Sequence, residues 1–185
     1  MASELWDLYD AEGNRTGKTM MRGEDVPTGY YHLAVHIWPM NALGEFLIQQ
    51  RSPNVQWKPN LWAATGGSAI SGEDALTAAR RELREEIGYD AAPEDLHQIA
   101  CLKRTNSFCS VFCVQTDWPA SAFSLQKEEV STVAWCDRAK ILRMLSDNTL
   151  YNYGDAYYRM LFDYGRRCAS LLQQKARRSD THTKR

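Results

Sequence analysis

Residues 66–90 read GGSAISGEDALTAARRELREEIGYD, and this stretch decides what the rest of the chain is expected to build. Two glycines and a polar turn precede a helical run in which arginine and glutamate crowd into residues 80–86. Ser71 is placed to be the N-cap of this helix, with Asp74 three residues later, and Gly88 is placed to be its C-cap. We therefore predict a loop, a short helix and a second loop.

At about 100° per residue, the predicted helix has one apolar and one charged face. The apolar residues fall within roughly 60° of one another and predict the buried stripe. They are Leu76, Ala79, Leu83 and Ile87. Glu82, Glu85 and Glu86 lie away from that stripe at i, i+3 and i+4, where like charges repel by about 0.2–0.5 kcal/mol per pair. Local helix energetics therefore do not favour the glutamate cluster.

Two interpretations compete for these glutamates. The first is a solvated helix face on which Arg80, Arg81 and Arg84 offset the acidic charge. The second is a site for a hard divalent cation, because carboxylates on one face are the ligands that Mg²⁺ and Mn²⁺ prefer. A Gly-Gly pair directly before the helix favours the second, since it allows close backbone approach and an inward-pointing carbonyl.

The spacing of these residues resembles a known pattern. Gly67, five residues, Glu73, seven residues and then RELREEIGY at 81–89 resemble the Nudix box. Every defining position matches except the last, where Tyr89 replaces an aliphatic residue in a packing position. Including the strands before the box and the segment after it, the resemblance covers roughly residues 30–145.

The resemblance implies an α+β fold, a Nudix-type α/β/α sandwich around a mixed β-sheet, with an N-terminal β-hairpin and C-terminal helices added. It also implies an activity, the hydrolysis of a diphosphate linkage in a nucleoside-diphosphate-linked or related small molecule, with Mg²⁺ or Mn²⁺ as cofactor. The implied metal ligands are Glu85, Glu86 and the Gly66 carbonyl, and Glu82 is either a further ligand or the general base. Glu82 and Glu86 are thus the expected catalytic residues.

Four other positions of the box are implied to be structural. Glu73 and Arg81 would brace the loop and the helix, as outer partners of metal ligands commonly do. Gly67 and Gly88 complete the motif on either side of the helix.

Within the family, residues 32–52 (HLAVHIWPMNALGEFLIQQRS) resemble the branch that contains isopentenyl-diphosphate isomerase. That raises an isomerase as an alternative function. The cysteine and histidine of those isomerases correspond to Gly67 and Ala69 here, and a lysine of theirs corresponds to Val55. Because proton transfer needs a positioned acid or base, the sequence favours hydrolysis over isomerisation. A nucleotide-binding module without catalysis is a third alternative, against which three mutually repelling glutamates argue.

Substrate contacts are expected from the loop before the box. Arg51 corresponds to the diphosphate-binding arginine of the isomerase branch, and a guanidinium suits a phosphate. Lys58 lies nearby in the sequence, and Trp57 could stack on a base. Glu129, in the QKEEV segment, is a candidate extra acid, and a charged turn is the simpler alternative.

Composition narrows the class of protein. The chain has 185 residues and a net charge of −1, so attraction to nucleic acid is not expected. Its five cysteines are odd in number and without a CxxC pair, which favours free buried thiols. The start shows neither a signal peptide nor a membrane span, so we expect a cytoplasmic protein that acts on a small-molecule diphosphate.

The order of patterns predicts one domain with additions at both ends. Residues 1–29 read as a hairpin extension, residues 30–145 as the Nudix hydrolase domain, and residues 146–185 as a C-terminal helix and tail packed on that domain. His32 and His36 share one face of a predicted strand, where packing is the simpler role. Five tyrosines near the last helix predict packing on the domain or on the second subunit of a homodimer, and the basic end at 175–178 predicts a solvated helix terminus.

Overall fold

The N-terminal segment forms the predicted hairpin. The computed structural model describes residues 4–182, with side chains as far as residue 170. Strands β1 (Leu5–Tyr9) and β2 (Arg15–Met21) pair antiparallel as a separate two-stranded sheet. The carboxylate of Asp10 closes their turn, because it accepts hydrogen bonds from the backbone amides of Glu12 (3.0 Å) and Asn14 (2.8 Å).

A seven-stranded mixed sheet forms the centre of the molecule. Its path runs β5-β4-β3-β8-β7, with β6 paired to β3 and β9 paired to β4. The β3–β8 pair is parallel, and the other pairs are antiparallel. The strands are β3 (His32–Met40), β4 (Phe46–Arg51), β5 (Trp62–Ala63), β6 (Thr65–Ser68), β7 (His97–Lys103), β8 (Ser107–Gln115) and β9 (Val130–Cys136).

Each face of the sheet is covered by its own apolar cluster, because successive side chains of a strand point to opposite faces. On β3, Val35 and Ile37 pack with helix α1 (Ala75–Ile87), whereas Trp38 and Met40 pack with the C-terminal segment. Two helices cover that second face, α2 (Arg138–Ser146) and α3 (Asp155–His182). The α/β/α sandwich predicted from the sequence is confirmed.

Helix α1 begins later than predicted. Asp74, rather than Ser71, is the N-cap, and its carboxylate accepts a hydrogen bond from the Thr77 amide at 2.8 Å. The Ser71 hydroxyl is used elsewhere, since it donates to Asp7 of the hairpin at 2.6 Å. The predicted C-cap is confirmed: Gly88 has φ of 68°, and its amide donates back into the last turn.

The tyrosines of the C-terminal region pack within the chain. Tyr157, Tyr158, Leu161 and Phe162 are buried against the second face of the sheet, and Tyr153 packs beside them. The proposed homodimer and the domain boundaries therefore stay predictions. The side chains of the basic run at 175–178, and residues 183–185 of the tail, lie outside the described part. Among residues 4–182, every helix is too short or too polar to cross a bilayer.

Candidate active site

Arg81 connects the loop before α1 to the glutamates on it. Its guanidinium makes a two-pronged ion pair with Glu73, at 2.8 and 3.0 Å, and donates to the Ser68 carbonyl at 3.1 Å. The remaining nitrogen donates to Glu82 at 2.9 Å and to Glu85 at 3.0 Å. Glu73 also accepts from the Ile70 amide at 3.0 Å, so one arginine ties both ends of the loop to the helix.

Glu82 lies directly against Gly67. A Cβ atom at residue 67 would overlap the Glu82 carboxylate, so any other residue there would displace it. Only 12% of the Glu82 side chain is exposed, whereas 48% of the Glu85 side chain is. Glu82 is therefore enclosed by the motif, and Glu85 stands at its rim.

Glu86 is the most deeply buried of the three glutamates, at 5% exposure. One of its oxygens accepts from the Gly66 amide and from the Gln49 side-chain amide, both at 2.9 Å. Gln49 is itself fully buried and accepts from the Thr65 hydroxyl at 3.2 Å. The Glu86 carboxylate is thereby held beside the Gly66–Gly67 backbone.

The electrostatics of this pair differ from those of a solvated helix face. Burial raises the pKa of Glu82, although the neighbouring Arg81 opposes the shift. Burial, followed by the charge of Glu82, raises the pKa of Glu86. Within the described residues, Glu86 has no salt-bridge partner, because Arg81 is engaged with Glu73, Glu82 and Glu85. Two buried carboxylates thus share a region with less positive charge than their ionised forms require.

These residues fit a hard divalent cation in the type of their donor atoms. Buried carboxylate oxygens beside an exposed glutamate and a backbone turn are the donors that such a cation takes. Among the residues that the structure describes, no three acidic, histidine or cysteine side chains are already gathered around one point. Glu85 would exchange its ion pair with Arg81 for such a ligand role.

Glu129 directly precedes β9, the strand that pairs with β4. The backbone carbonyl of Glu129 accepts from the Ser52 amide at 2.8 Å. Glu129 therefore lies beside the end of β4, and its role as an additional acid stays a prediction.

A cavity of about 250 Å³ adjoins the two glycines on the sheet face opposite α1. His32 and His36 of β3 both line it, in addition to Arg51, Trp57 and Tyr153. The remaining lining residues belong to β3, β5, β6 and the link between β5 and β6: Ala34, Val35, Ala63, Ala64, Gly66, Gly67 and Ser68. The two histidines thus face a pocket instead of only packing, and the sequence signal for this was their spacing on one strand face.

Of the two cationic residues predicted to bind substrate, Arg51 lines the cavity and Lys58 does not. Arg51 is held by Trp57, because its Nε donates to the Trp57 carbonyl at 2.9 Å and its guanidinium lies 5.1 Å from the Trp57 ring centre. Its terminal nitrogens make no hydrogen bond to the described residues and are available to a ligand. Lys58 is exposed and does not line the cavity, so sequence proximity alone had suggested it.

Sequence reasoning missed two features of this site. Gln49 was not predicted, although a glutamine between apolar residues in a buried strand was a visible signal. The N-terminal hairpin also contacts the box: Asp7 accepts from the Ser71 hydroxyl and from the Gly72 amide, at 2.6 and 2.9 Å, and Arg15 donates to the Glu73 carbonyl. No local pattern indicates these contacts, because they join residues about 60 positions apart.

Comparison with known proteins shows which families resemble this chain. The NUDIX domain profile matches residues 30–156. An uncharacterized Nudix hydrolase of Listeria monocytogenes is 31% identical over 151 residues, which are 81% of this chain and 89% of that protein. Isopentenyl-diphosphate Delta-isomerase of Escherichia coli is 30% identical over 77% of this chain and 82% of its own length.

A solved structure supports the fold. The crystal structure of DR0079 from Deinococcus radiodurans superposes with a TM-score of 0.69, at 24% identity, over 89% of this chain and 99% of that one. The profile match alone spans more than half of the sequence. Together with a relative that is 31% identical over 81% of this chain, that match shows that the chain belongs to the Nudix family.

Proposed function

We propose that this protein is a divalent-metal-dependent hydrolase that cleaves a diphosphate linkage in a nucleoside-diphosphate-linked or related small molecule. The observation that carries the proposal is the pair Glu82 and Glu86: Glu82 is largely enclosed, and Glu86 is buried without a cationic partner among the described residues. A purely structural helix face has no need of two carboxylates enclosed in this way. Mg²⁺ or Mn²⁺ is the expected cofactor.

Each residue of the box has a task in this proposal. Arg81 and Glu73 hold the loop against the helix, and Gly67 leaves space for the Glu82 carboxylate. Glu85, Glu86 and the Gly66 carbonyl are the proposed metal ligands, and Glu82 is a further ligand or accepts a proton from water. When bound, the cation would screen the phosphate charge and make water a stronger nucleophile.

The cavity beside the box is the proposed place for the group attached to the diphosphate. Arg51 lines it with free terminal nitrogens, which suits a phosphate oxygen at the junction between the box and the cavity. Glu129 is retained as a candidate additional acid, whereas Lys58 can contribute only if the exposed loop closes over a ligand.

The decisive experiment compares Glu86→Gln with wild type on a panel of diphosphate compounds with Mg²⁺. Glutamine keeps the shape and can accept the hydrogen bonds from Gly66 and Gln49, so the fold should persist. Loss of the ligand charge should lower kcat by about a hundredfold or more. Glu94→Gln, on an exposed turn away from the box, is the matched control and should behave as wild type. Hydrolysis by Glu86→Gln at the wild-type rate would refute the metal-site proposal.

The isomerase alternative follows from the relatives of that name. The resemblance to the isomerase branch implies that Gly67 stands at the position of their catalytic cysteine, and a Cβ atom at Gly67 would overlap Glu82. We therefore expect no conversion of isopentenyl diphosphate to its allylic isomer, which a product assay with the purified protein measures directly. A binding module without catalysis would bind members of the panel and hydrolyse none.

A further inference from the structure

The hydroxyl of Tyr157 connects two other side chains beside the cavity. Trp38 Nε1 donates to it at 2.7 Å, and His36 Nδ1 lies 3.0 Å from it. Trp38 and Tyr157 are both buried, and the imidazole of His36 packs against the Tyr153 ring, with ring centres 4.4 Å apart and planes tilted by 50°. The three polar groups therefore form a small enclosed network at the base of the cavity.

The chemistry of these groups assigns the protons. An indole nitrogen can only donate, so the Tyr157 oxygen accepts from Trp38 and keeps its own proton to donate. Its other partner within the described residues is His36 Nδ1, which must then be the acceptor. The imidazole is consequently neutral, with its proton on Nε2. A charged imidazole would leave the buried Tyr157 proton without an acceptor. The guanidinium of Arg104 lies 5.9 Å from the Tyr157 ring, and its charge further disfavours a positive charge on His36.

The Nε2–H group of His36 is open to the cavity. His36 lines the cavity, and Nε2 has no hydrogen-bond partner among the residues that the structure describes. Among the described residues, the side-chain nitrogens and oxygens that are both fully enclosed and without a partner are Trp6 Nε1 and Arg104 Nε. His36 Nε2 is not one of them, so it is accessible from the cavity. The network therefore presents a single fixed donor to whatever enters.

We propose that His36 is a specificity-determining residue, which donates its Nε2–H to an acceptor atom on the group attached to the diphosphate. This proposal rests on the proposed function and deepens it, because it selects the substrate class. A sugar or a nucleobase offers oxygen or nitrogen acceptors, whereas a hydrocarbon chain would bury the N–H without a partner. Sites built around a hydrogen bond reject analogues that lack the acceptor far more strongly than apolar pockets reject a change of size.

Long-range ¹H–¹⁵N NMR spectra of the free protein test the proton assignment, because the two nitrogens of an imidazole give distinct signals in each tautomer. The His36 signals are identified by their loss in His36→Gln. We expect protonated Nε2 and unprotonated Nδ1 in wild type, and a mixture of tautomers in Tyr157→Phe. Tyr158→Phe, whose hydroxyl donates to the Tyr151 carbonyl instead, is the matched control and should keep the wild-type signals. A charged or Nδ1-protonated His36 in wild type would overturn the proposal.

Binding measurements test the selectivity. Titration calorimetry with Ca²⁺ in place of Mg²⁺ compares ADP-ribose, which carries acceptors, with isopentenyl diphosphate, which carries a hydrocarbon. His36→Leu should weaken ADP-ribose binding by about tenfold or more and leave isopentenyl diphosphate binding equal or tighter. His36→Gln, which retains a donor, should recover most of the affinity. An equal effect of His36→Leu on both compounds would refute the role in selectivity.

These outcomes are separable from those of the proposed function. The NMR assignment requires no turnover, and the binding arms require no hydrolysis. A protein that fails the Glu86→Gln test and yet distinguishes the two compounds through His36 would lose the proposed hydrolysis and keep the proposed selectivity.

Discussion

Single residues determine how closely the backbone and the glutamates approach each other. Gly66 has φ of 147°, and a Cβ atom there would overlap the Val35 carbonyl oxygen, so this position requires glycine for both its conformation and its space. At Gly67 the obstacle would instead be the Glu82 carboxylate. The two glycines of the pair therefore have different roles, since Gly66 allows strand pairing and Gly67 allows the glutamate to enter.

Arg51 provides the prediction at this scale. If its free nitrogens bind a substrate phosphate, Arg51→Ala should raise KM by roughly 10- to 150-fold, which corresponds to a charge-assisted contact of about 1.5–3 kcal/mol. Arg51→Lys should recover only part, because an ammonium cannot replace a planar fork. Steady-state kinetics on the best substrate measures both variants, and Arg143→Ala, an exposed arginine on α2, is the control. An unchanged KM in both Arg51 variants would remove this residue from the site.

At the scale of the elements, the N-terminal hairpin makes hydrogen bonds to the loop that precedes α1. Asp7 of β1 holds Ser71 and Gly72, and the Leu5 carbonyl accepts from the Ser71 amide at 2.7 Å. Trp6 stacks on His32 at 4.4 Å, which connects the hairpin to the cavity wall. The hairpin thus stabilises the loop that places Glu73 and, through Arg81, Glu82.

Asp7→Ala tests this coupling. Loss of two hydrogen bonds to the loop should lower kcat by about tenfold, because only part of the about 1.5–3 kcal/mol of stability that each such bond contributes affects the placement of the glutamates. Asp10→Ala is the matched control, because Asp10 accepts similar backbone bonds within the hairpin turn itself. We expect a lower Tm for both variants and a lower kcat for Asp7→Ala alone. Equal kcat in the two variants would show that the hairpin does not position the loop.

At the scale of the whole molecule, the sheet carries an apolar cluster on each of its two faces. Trp38, Tyr157 and Leu161 fill the cluster between the sheet and α3, while Leu83 and Ile87 anchor α1 on the opposite face. Glu86 is buried in the last turn of α1 without a cationic partner among the described residues, so its ionised form adds negative charge to the interior. Relief of that charge by a cation should therefore be measurable in the stability of the entire domain.

Mg²⁺ at about a hundredfold excess over its Kd should stabilise the folded protein by about 2.7 kcal/mol. For a domain of this size, that corresponds to a rise in Tm of about 5–10 °C. Glu86→Gln should lose most of the rise, whereas Glu94→Gln should retain it, and differential scanning calorimetry measures both. An equal rise in Tm for wild type and Glu86→Gln would place the cation elsewhere.

How much of this was visible in the sequence depended on the distance between the partners along the chain. The Nudix box, the Gly88 cap, the alternating strands and the α+β class were predictable, because they depend on residues within one element or its immediate neighbours. Arg51 was predicted to bind substrate from its correspondence to an arginine of the isomerase branch; it lines the cavity, and its contact with substrate stays a prediction. Even within the box, the prediction of Ser71 as the N-cap was wrong, because the Ser71 hydroxyl donates a hydrogen bond to Asp7 in the two-stranded sheet.

The amino-acid sequence by itself determined the family, the helix that carries Glu82, Glu85 and Glu86, and the order of the elements. Tertiary structure alone decided that Gln49 holds Glu86 and that Tyr157 orients His36 from 121 residues away. Hydrophobic periodicity specifies which face of an element is buried, but not which buried polar groups meet there. Those meetings depend on how separate elements pack, because each enclosed donor must find its acceptor in the assembled core.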